Sequence, residues 1–275
     1  MADPATFELE ARGVRIAGEA GGDGPPIVLL HGLTATRRYV VMGSRFLERA
    51  GYRLISYDAR GHGQSSPAPD PSAYEYADMV ADLEAVLEHA GVERAVLAGS
   101  SMGAATAIAF CLAQPERVAT LVQITPAYGG HPHDSPEDLE YWTALSDGLE
   151  RGGVEGLLEA YRPLVGGPFA DRLLAFTRQR LERHTDLGAV ADALRVVPGS
   201  RAFDGLEALE RVEAPTLIVA SRDEADPGHP LAVARAFAER LPDAELIVEE
   251  EGQSPIAWRG AKLSRAIARF LDAQP

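Results

Sequence analysis

The chain has 275 residues, of which 46% are hydrophobic and 24% charged, so a large packed core is expected rather than disorder. Its formal net charge of −15 argues against nucleic acid and anionic membrane surfaces as partners. A single cysteine excludes an intrachain disulfide, and the first ten residues lack the basic and apolar stretches of a signal peptide, so we expect a cytoplasmic protein.

The first half of the chain contains two kinds of predicted strand. Residues 7–16 alternate apolar and polar side chains around Arg12-Gly13, which predicts a half-exposed antiparallel hairpin. The runs that follow are short and mostly apolar, as in strands of a parallel sheet covered on both faces: Ile27–Leu30, Leu54–Tyr57, Ala95–Ala98 and Thr120–Ile124. Helical patterns separate these runs. This alternation predicts an α/β fold with a doubly wound, mostly parallel sheet.

One of these helices has terminal signals of its own. Residues 79–87 place their apolar side chains on one face at helical spacing. Ser72 and Glu75 are expected to form a capping box before it, and Gly91 is expected to end it.

The second half of the chain begins with a change of pattern. Residues 126–209 show no convincing buried strand, and we predict helices at 139–149, 154–161 and 170–183. The alternation then resumes with a strand at 216–220, a helix at 231–240, a strand at 244–249 and a closing helix at 258–271. We therefore expect a core made of residues 1–125 and 210–275, with residues 126–209 inserted as a helical lid over the carboxyl ends of the strands.

The strongest chemical signal lies within an uncharged stretch, Ala95–Ala113. Its length permits a membrane span, but it contains Gly99-Ser100-Ser101-Met102-Gly103, which indicates a buried strand, a tight turn and a buried helix. The pattern G-x-S-x-G between a strand and a helix is typical of a nucleophile elbow. Glycines are needed there because the turn is crowded, and the helix N-terminus directs free N–H groups at a reacting carbonyl.

Two further motifs follow predicted strands, His31-Gly32-Leu33 and Asp58-Ala59-Arg60-Gly61-His62-Gly63-Gln64-Ser65. With the elbow and the segment Pro215–Pro230, they make the chain resemble the α/β-hydrolase superfamily, in the branch that includes enol-lactonases, esterases and C–C bond hydrolases. The resemblance spans nearly all of the chain outside the predicted lid.

The resemblance implies a role for individual residues. Ser101 corresponds to the nucleophile, and the backbone N–H groups of Leu33 and Met102 correspond to the oxyanion hole. Each such donor is typically worth about 2.7–4 kcal/mol of transition-state stabilisation. The resemblance also implies that His31 and His62 are structural.

The acid of the triad is expected in the loop after the strand at 216–220. In the family it is the aspartate of a D-x-x-x-P pattern, which Asp226 fits with Pro230. Asp223 lies earlier in the same loop and is the rival.

The position of the general base departs from the family pattern. In the family the last strand is followed by Gly-His, but here Gly252 is followed by Gln253. An amide has no basic nitrogen, and a serine hydroxyl is a poor nucleophile unless a base takes its proton.

A substitute base would have to come from elsewhere, because no histidine follows Gln253. His229 lies on the acid-bearing loop, and the predicted lid contains His131, His133 and His184. His229 and His133 are the candidates we retain. We expect the acidic run 249–251 to be a solvated strand end.

Three functions stay open on this basis. The first is hydrolysis of a small ester, lactone or thioester through Ser101, with a displaced or missing base. The second is a non-hydrolytic enzyme, such as a cyclase or lyase, that uses positioning and the oxyanion donors alone. The third is a small-molecule-binding protein that has lost catalysis.

A small molecule is the expected substrate in each case, in a pocket lined by Gly32, Trp142 and Trp258. We expect no cofactor, since the first strand–helix turn lacks G-x-G-x-x-G, and no metal, since no cluster has ligand spacing. The sequence contains no signal for oligomeric state.

Overall fold

A computed structural model describes residues 3–253 and 255–274 of the chain. These residues form one eight-stranded sheet in the order β1-β2-β4-β3-β5-β6-β7-β8. The strands are β1 (Ala5–Ala11), β2 (Val14–Gly21), β3 (Pro26–Leu30), β4 (Arg53–Tyr57), β5 (Ala95–Ser100), β6 (Val118–Ile124), β7 (Thr216–Ala220) and β8 (Ala244–Val248). The pairs β1–β2 and β2–β4 are antiparallel and all other pairs are parallel, which confirms the mostly parallel sheet.

Helices cover both faces of the sheet. They are α1 (Phe46–Arg49), α2 (Tyr76–His89), α3 (Met102–Ala113), α4 (Pro136–Tyr161), α5 (Ala170–Leu181), α6 (Leu187–Val196), α7 (Leu231–Arg240) and α8 (Gly260–Asp272). Helices α2, α3 and α7 share one hydrophobic cluster with the sheet, and α1 and α8 share a second cluster on the other face. In β5, Leu97 faces the first cluster and Ala98 the second, which explains why Ala95–Ala98 are all apolar.

The backbone conformation of the turn between β1 and β2 agrees with the predicted hairpin. Arg12 (φ 48°) and Gly13 (φ 78°) join β1 to β2 with positive φ at both central positions. This backbone has the twist that a two-residue hairpin turn requires.

The capping box of α2 was predicted one turn too early. The helix begins at Tyr76, and Glu75 is its N-cap residue. Asp78 accepts a hydrogen bond from the Glu75 backbone N–H at 3.3 Å, so Ser72 takes no part in the box. The C-terminal prediction is confirmed, because Gly91 has φ 65° and its N–H donates to the Glu88 carbonyl.

Helices α4 to α6 are inserted between β6 and β7. Helix α4 is interrupted at Gly153 (φ 57°, ψ −144°), which accounts for the two separate helices predicted there. The predicted helix at 170–183 ends at Leu181. Helix α6 was missed, although Asp186 caps it by accepting from the Ala189 N–H at 3.0 Å. The division into a core and a lid at residues 126 and 209 stays a prediction.

The uncharged stretch 95–113 forms strand β5, a turn and helix α3. Within residues 3–253 and 255–274, no helix is long and apolar enough to cross a membrane.

Candidate active site

Ser101 stands in a strained turn between β5 and α3. Its backbone adopts φ 52° and ψ −112°, a conformation that non-glycine residues rarely adopt. A Cβ atom on Gly99 would lie 2.2 Å from the Gly103 carbonyl oxygen, and one on Gly103 would lie 2.3 Å from the Leu30 oxygen. Because the backbone segments approach so closely, only glycine fits on either side of the serine.

Two backbone N–H groups lie beside Ser101 without a partner among the described residues. Met102 is the first residue of α3, so its N–H has no acceptor within the helix. The N–H of Leu33 belongs to a turn in which the Ala35 N–H donates to the Gly32 carbonyl at 3.0 Å. A Cβ on Gly32 would lie 3.2 Å from the Ser101 Cβ, so the turn is packed against Ser101.

A cavity of about 700 Å³ opens at the carboxyl ends of the central strands. Ser101, Leu33 and Met102 form part of its wall, and the inserted helices form another part. Trp142 and Trp258 both line it, as does Gly32. The Trp142 ring lies 4.7 Å from that of Tyr141. The wall is predominantly apolar, and the cavity is large enough to enclose a small organic molecule.

A hydrogen-bonded carboxylate–imidazole pair lines the same cavity. Asp226 is 4% exposed, and its Oδ1 accepts a hydrogen bond from His229 Nδ1 at 2.9 Å. Both residues lie in the loop between β7 and α7, and both contribute to the wall that holds Ser101. Asp223 is exposed and accepts from the Leu231 N–H at 2.7 Å, so it caps α7 and does not face the cavity.

Gln253 is exposed and is absent from the cavity wall that the described residues form. Its backbone N–H donates to the Glu250 carbonyl at 3.1 Å. Ser254, which follows it, lies outside the described residues.

The acidic run before Gln253 is not wholly solvated, contrary to our expectation. Glu249 is 2% exposed. Its carboxylate accepts from the backbone N–H groups of Arg222 and Ile256. One carboxylate therefore joins the loop after β7 to the segment after β8, and burial raises its pKa. Glu250 and Glu251 are exposed, as predicted.

The other candidate base also has a carboxylate neighbour. His133 Nδ1 lies 3.9 Å from Asp138 Oδ1, and both residues line the cavity. This distance is longer than the 2.9 Å between His229 and Asp226, and the side chains of His133 and Asp138 are both more than one-third exposed. His131 also lines the cavity and is exposed.

Three imidazole rings pack against one another, tilted or edge to face, beside the turn that contains Gly32 and Leu33. The ring centroids of His31 and His62 are 5.2 Å apart, and those of His62 and His184 are 5.5 Å apart. His31 Nε2 accepts from the Ala59 N–H at 2.9 Å, so its Nδ1–H donates to the Gly32 carbonyl. This hydrogen bond connects the group of three rings directly to the turn that contains the Leu33 N–H.

His184 ties the insertion to the same turn. Its Nδ1 accepts from the Gly63 N–H at 2.9 Å, so Nε2–H donates to the Thr34 carbonyl at 3.1 Å. Burial lowers the pKa of His184 to about 4 and lowers the pKa values of His31 and His62 as well. The three rings are therefore neutral at pH 7, and neither nitrogen of His184 is free to act as a base.

Arg180 is among the cavity-lining residues that the sequence did not predict. Arg180, near the end of α5, shares a helical face with Leu173 and Thr177, and all three line the cavity. The spacing of four and three residues was a usable signal, but an arginine at a helix end reads as a solvated cation.

Potential metal ligands do not cluster in the part of the chain that the structure describes. No group of three or more histidine, cysteine, aspartate or glutamate side chains there has a geometry that would hold an ion.

The sheet order, the strained serine turn and the helical insertion after β6 together define an α/β hydrolase. A family model described as alpha/beta hydrolase fold matches residues 25–260, and the chain belongs to this family.

Individual relatives are diverse. The chain is 30% identical over 267 residues to the putative non-heme chloroperoxidase of Synechocystis sp., covering 91% of this chain and 92% of that protein. It is 34% identical over 120 residues to epoxide hydrolase 2 of Siraitia grosvenorii, a match that spans 42% of this chain and only 37% of that relative. The solved structure of a thermophilic esterase from Thermogutta terrifontis superimposes with a TM-score of 0.79 at 24% identity, covering 98% of each chain.

Proposed function

We propose that the protein hydrolyses a small ester, lactone or thioester through Ser101, with His229 as the general base in place of the usual histidine. The observation that carries this proposal is that Ser101 and the hydrogen-bonded Asp226–His229 pair line one cavity. A histidine oriented by a buried carboxylate is the arrangement that activates a serine hydroxyl.

The hydrogen bond to Asp226 assigns the roles of the two ring nitrogens. Because His229 Nδ1–H donates to the carboxylate, Nε2 is left as the basic nitrogen. It takes the proton of Ser101 Oγ as the oxygen attacks the carbonyl carbon, and returns it to the departing alkoxide or thiolate. Water then attacks the acyl-enzyme, with the same nitrogen as base, and releases the acid.

The backbone N–H groups of Leu33 and Met102 would stabilise the oxyanion of each tetrahedral intermediate. Their lack of a partner among the described residues supports this role, because an N–H already bonded within the protein has nothing to offer a substrate.

Residues 126–209 would act as the lid of this site. Trp142 reaches the cavity from α4 and Leu173 from α5, so the insertion supplies part of the apolar wall of the cavity that Ser101 lines. Closing such a wall excludes water and strengthens the electrostatic interactions inside the cavity.

The proposal is tested by steady-state hydrolysis of 4-nitrophenyl acetate with the parent protein and four variants. Ser101→Ala and His229→Gln should each lower kcat/KM by about 10³-fold or more. His133→Gln tests the rival base, and His89→Gln, on the exposed surface of α2, is the matched control. Parent-like turnover in His229→Gln with loss in His133→Gln would move the base to the insertion.

The substitution Gln253→His tests whether a histidine at the usual position of the general base increases the rate. Gln253 is exposed, so we expect little gain in rate when His229 already serves as the base. A large gain from Gln253→His over an inactive parent would mean that the proposed base does not work.

A second candidate function is a non-hydrolytic enzyme or a small-molecule-binding protein on the same fold. The glutamine at the usual base position favours it, since neither role requires a proton acceptor there. A fluorophosphonate probe separates these functions from hydrolysis, because covalent labelling of Ser101 requires an activated hydroxyl. No labelling, together with stabilisation by a bound ligand, would favour the second candidate.

A further inference from the structure

Arg180 is the one lysine or arginine among the described residues that line the cavity. Its Nε is buried without a hydrogen-bond partner, and no carboxylate of the described residues forms an ion pair with its guanidinium. One Nη atom donates to Thr177 Oγ1 at 3.2 Å, and the guanidinium carbon lies 5.0 Å from the centre of the Phe176 ring.

This environment differs from that of Arg60, the buried arginine outside the cavity. Two nitrogens of Arg60 each lie 2.7 Å from a carboxylate oxygen of Asp82. A buried cation without such a partner loses hydration and lacks the compensation that an ion pair provides. Burial accordingly lowers the pKa of Arg180, while Tyr161 and Asp226 act in the opposite direction.

Arg180 has unused donors and lines a space that can hold a ligand. A guanidinium has five N–H donors, and among the described residues Arg180 makes one hydrogen bond, to Thr177. Two parallel N–H donors match the two oxygens of a carboxylate. Asp138 and Asp226 also line the cavity. They would repel a dianion such as a phosphate more strongly than a ligand with a single negative charge.

We propose that the substrate carries a carboxylate group, which Arg180 binds while the reacting acyl group lies at Ser101. The identity of the bond that reacts rests on the proposed function. The binding of a carboxylate in this cavity does not depend on that function. Arg180 therefore makes the cavity bind monoanionic substrates more tightly than neutral molecules of the same shape.

The test measures binding without turnover. In the Ser101→Ala protein, the dissociation constants of phenylacetate and of its neutral isostere phenylacetamide are compared by titration calorimetry. We expect phenylacetate to bind about ten- to hundredfold more tightly, as charge-assisted bonds to a guanidinium usually give. Adding Arg180→Met should abolish this preference, and Arg180→Lys should retain a smaller one.

Arg178 provides a matched control on the same helix. It pairs with Glu155 at the surface, where one Nη lies 2.8 Å from a carboxylate oxygen, and Arg178→Met should keep the preference for phenylacetate. The melting temperature gives a second readout. Arg180→Met should unfold at the same or a higher temperature than its parent, because it removes an unpaired buried cation, whereas a purely structural arginine would leave the variant less stable.

Equal binding of the two ligands by the Ser101→Ala protein, or a preference that survives in Arg180→Met, would overturn the proposal. Failure of ester hydrolysis leaves the binding result unaffected, since binding is measured without the nucleophile. A kinetic comparison of 4-acetoxybenzoate with its methyl ester then tests whether the same arginine lowers KM for the charged substrate.

Discussion

Acidification from pH 7 to pH 5 should destabilise the protein through His184. Its pKa is about 4 in the folded protein and 6.5 when unperturbed. The unfolded chain therefore binds a proton in this range and the folded protein does not, so the free energy of unfolding decreases as the pH falls below 6.5. The contribution amounts to about 2 kcal/mol between pH 7 and pH 5.

The substitution His184→Gln separates this effect from the other titrations. A glutamine can accept from the Gly63 N–H and donate to the Thr34 carbonyl as the histidine does, but it does not titrate. His31 and His62, whose pKa values are also lowered, remain in both proteins, so their contributions cancel in the comparison.

The assay is urea unfolding of parent and His184→Gln at pH 7, 6 and 5, followed by circular dichroism. The parent should lose about 2 kcal/mol more than the variant over this range. His89→Gln, on the surface, should follow the parent. Parallel loss of stability in parent and His184→Gln would show that His184 binds no additional proton on unfolding, and the reasoning would be refuted.

Three further predictions concern the stability of the parts that hold the site, and urea unfolding measures each. Gly103→Ala places a methyl group 2.3 Å from a backbone oxygen and should destabilise by about 3 kcal/mol or more, whereas Gly152→Ala, with no atom within 4 Å, should be neutral or stabilising. Asp82→Ala removes both 2.7 Å contacts between the buried Arg60 and a carboxylate and leaves only the 3.4 Å pair with Asp78, so it should cost about 3–5 kcal/mol, against less than about 1 kcal/mol for Asp78→Ala, whose side chain is 23% exposed; equal costs would contradict this. Leu181→Ala, at a position with no exposed surface, should cost about 2–5 kcal/mol, and a cost below about 1 kcal/mol would mean that the insertion adds little to cooperative unfolding.

The sheet and the serine turn were predictable because short-range patterns determine them. Strands such as β5 are apolar throughout since both faces are covered, and Gly99 and Gly103 are dictated by backbone atoms close to Ser101. Helix α6 was missed although Asp186 marked its start and its apolar side chains recur at helical spacing.

The remainder of the candidate site depends on contacts between segments far apart in the chain. Glu249 belongs to an acidic run that reads as solvated, and only the fold brings it to the Arg222 and Ile256 N–H groups. The neutral state of His184 likewise depends on residues more than a hundred positions away in the chain.

The hydrophobic cluster within the insertion has an evolutionary consequence. Leu145, Leu149, Leu157 and Leu181 pack together with α6 in a cluster separate from the two that flank the sheet. Leu145 and Leu157 of this cluster line the cavity, so mutations here reshape one wall of it, whereas Met102, beside Ser101, belongs to a cluster that flanks the sheet. Divergence among descendants of this chain should therefore concentrate in the insertion, so that new ligand preferences arise by drift in the helices while the sheet is kept under purifying selection.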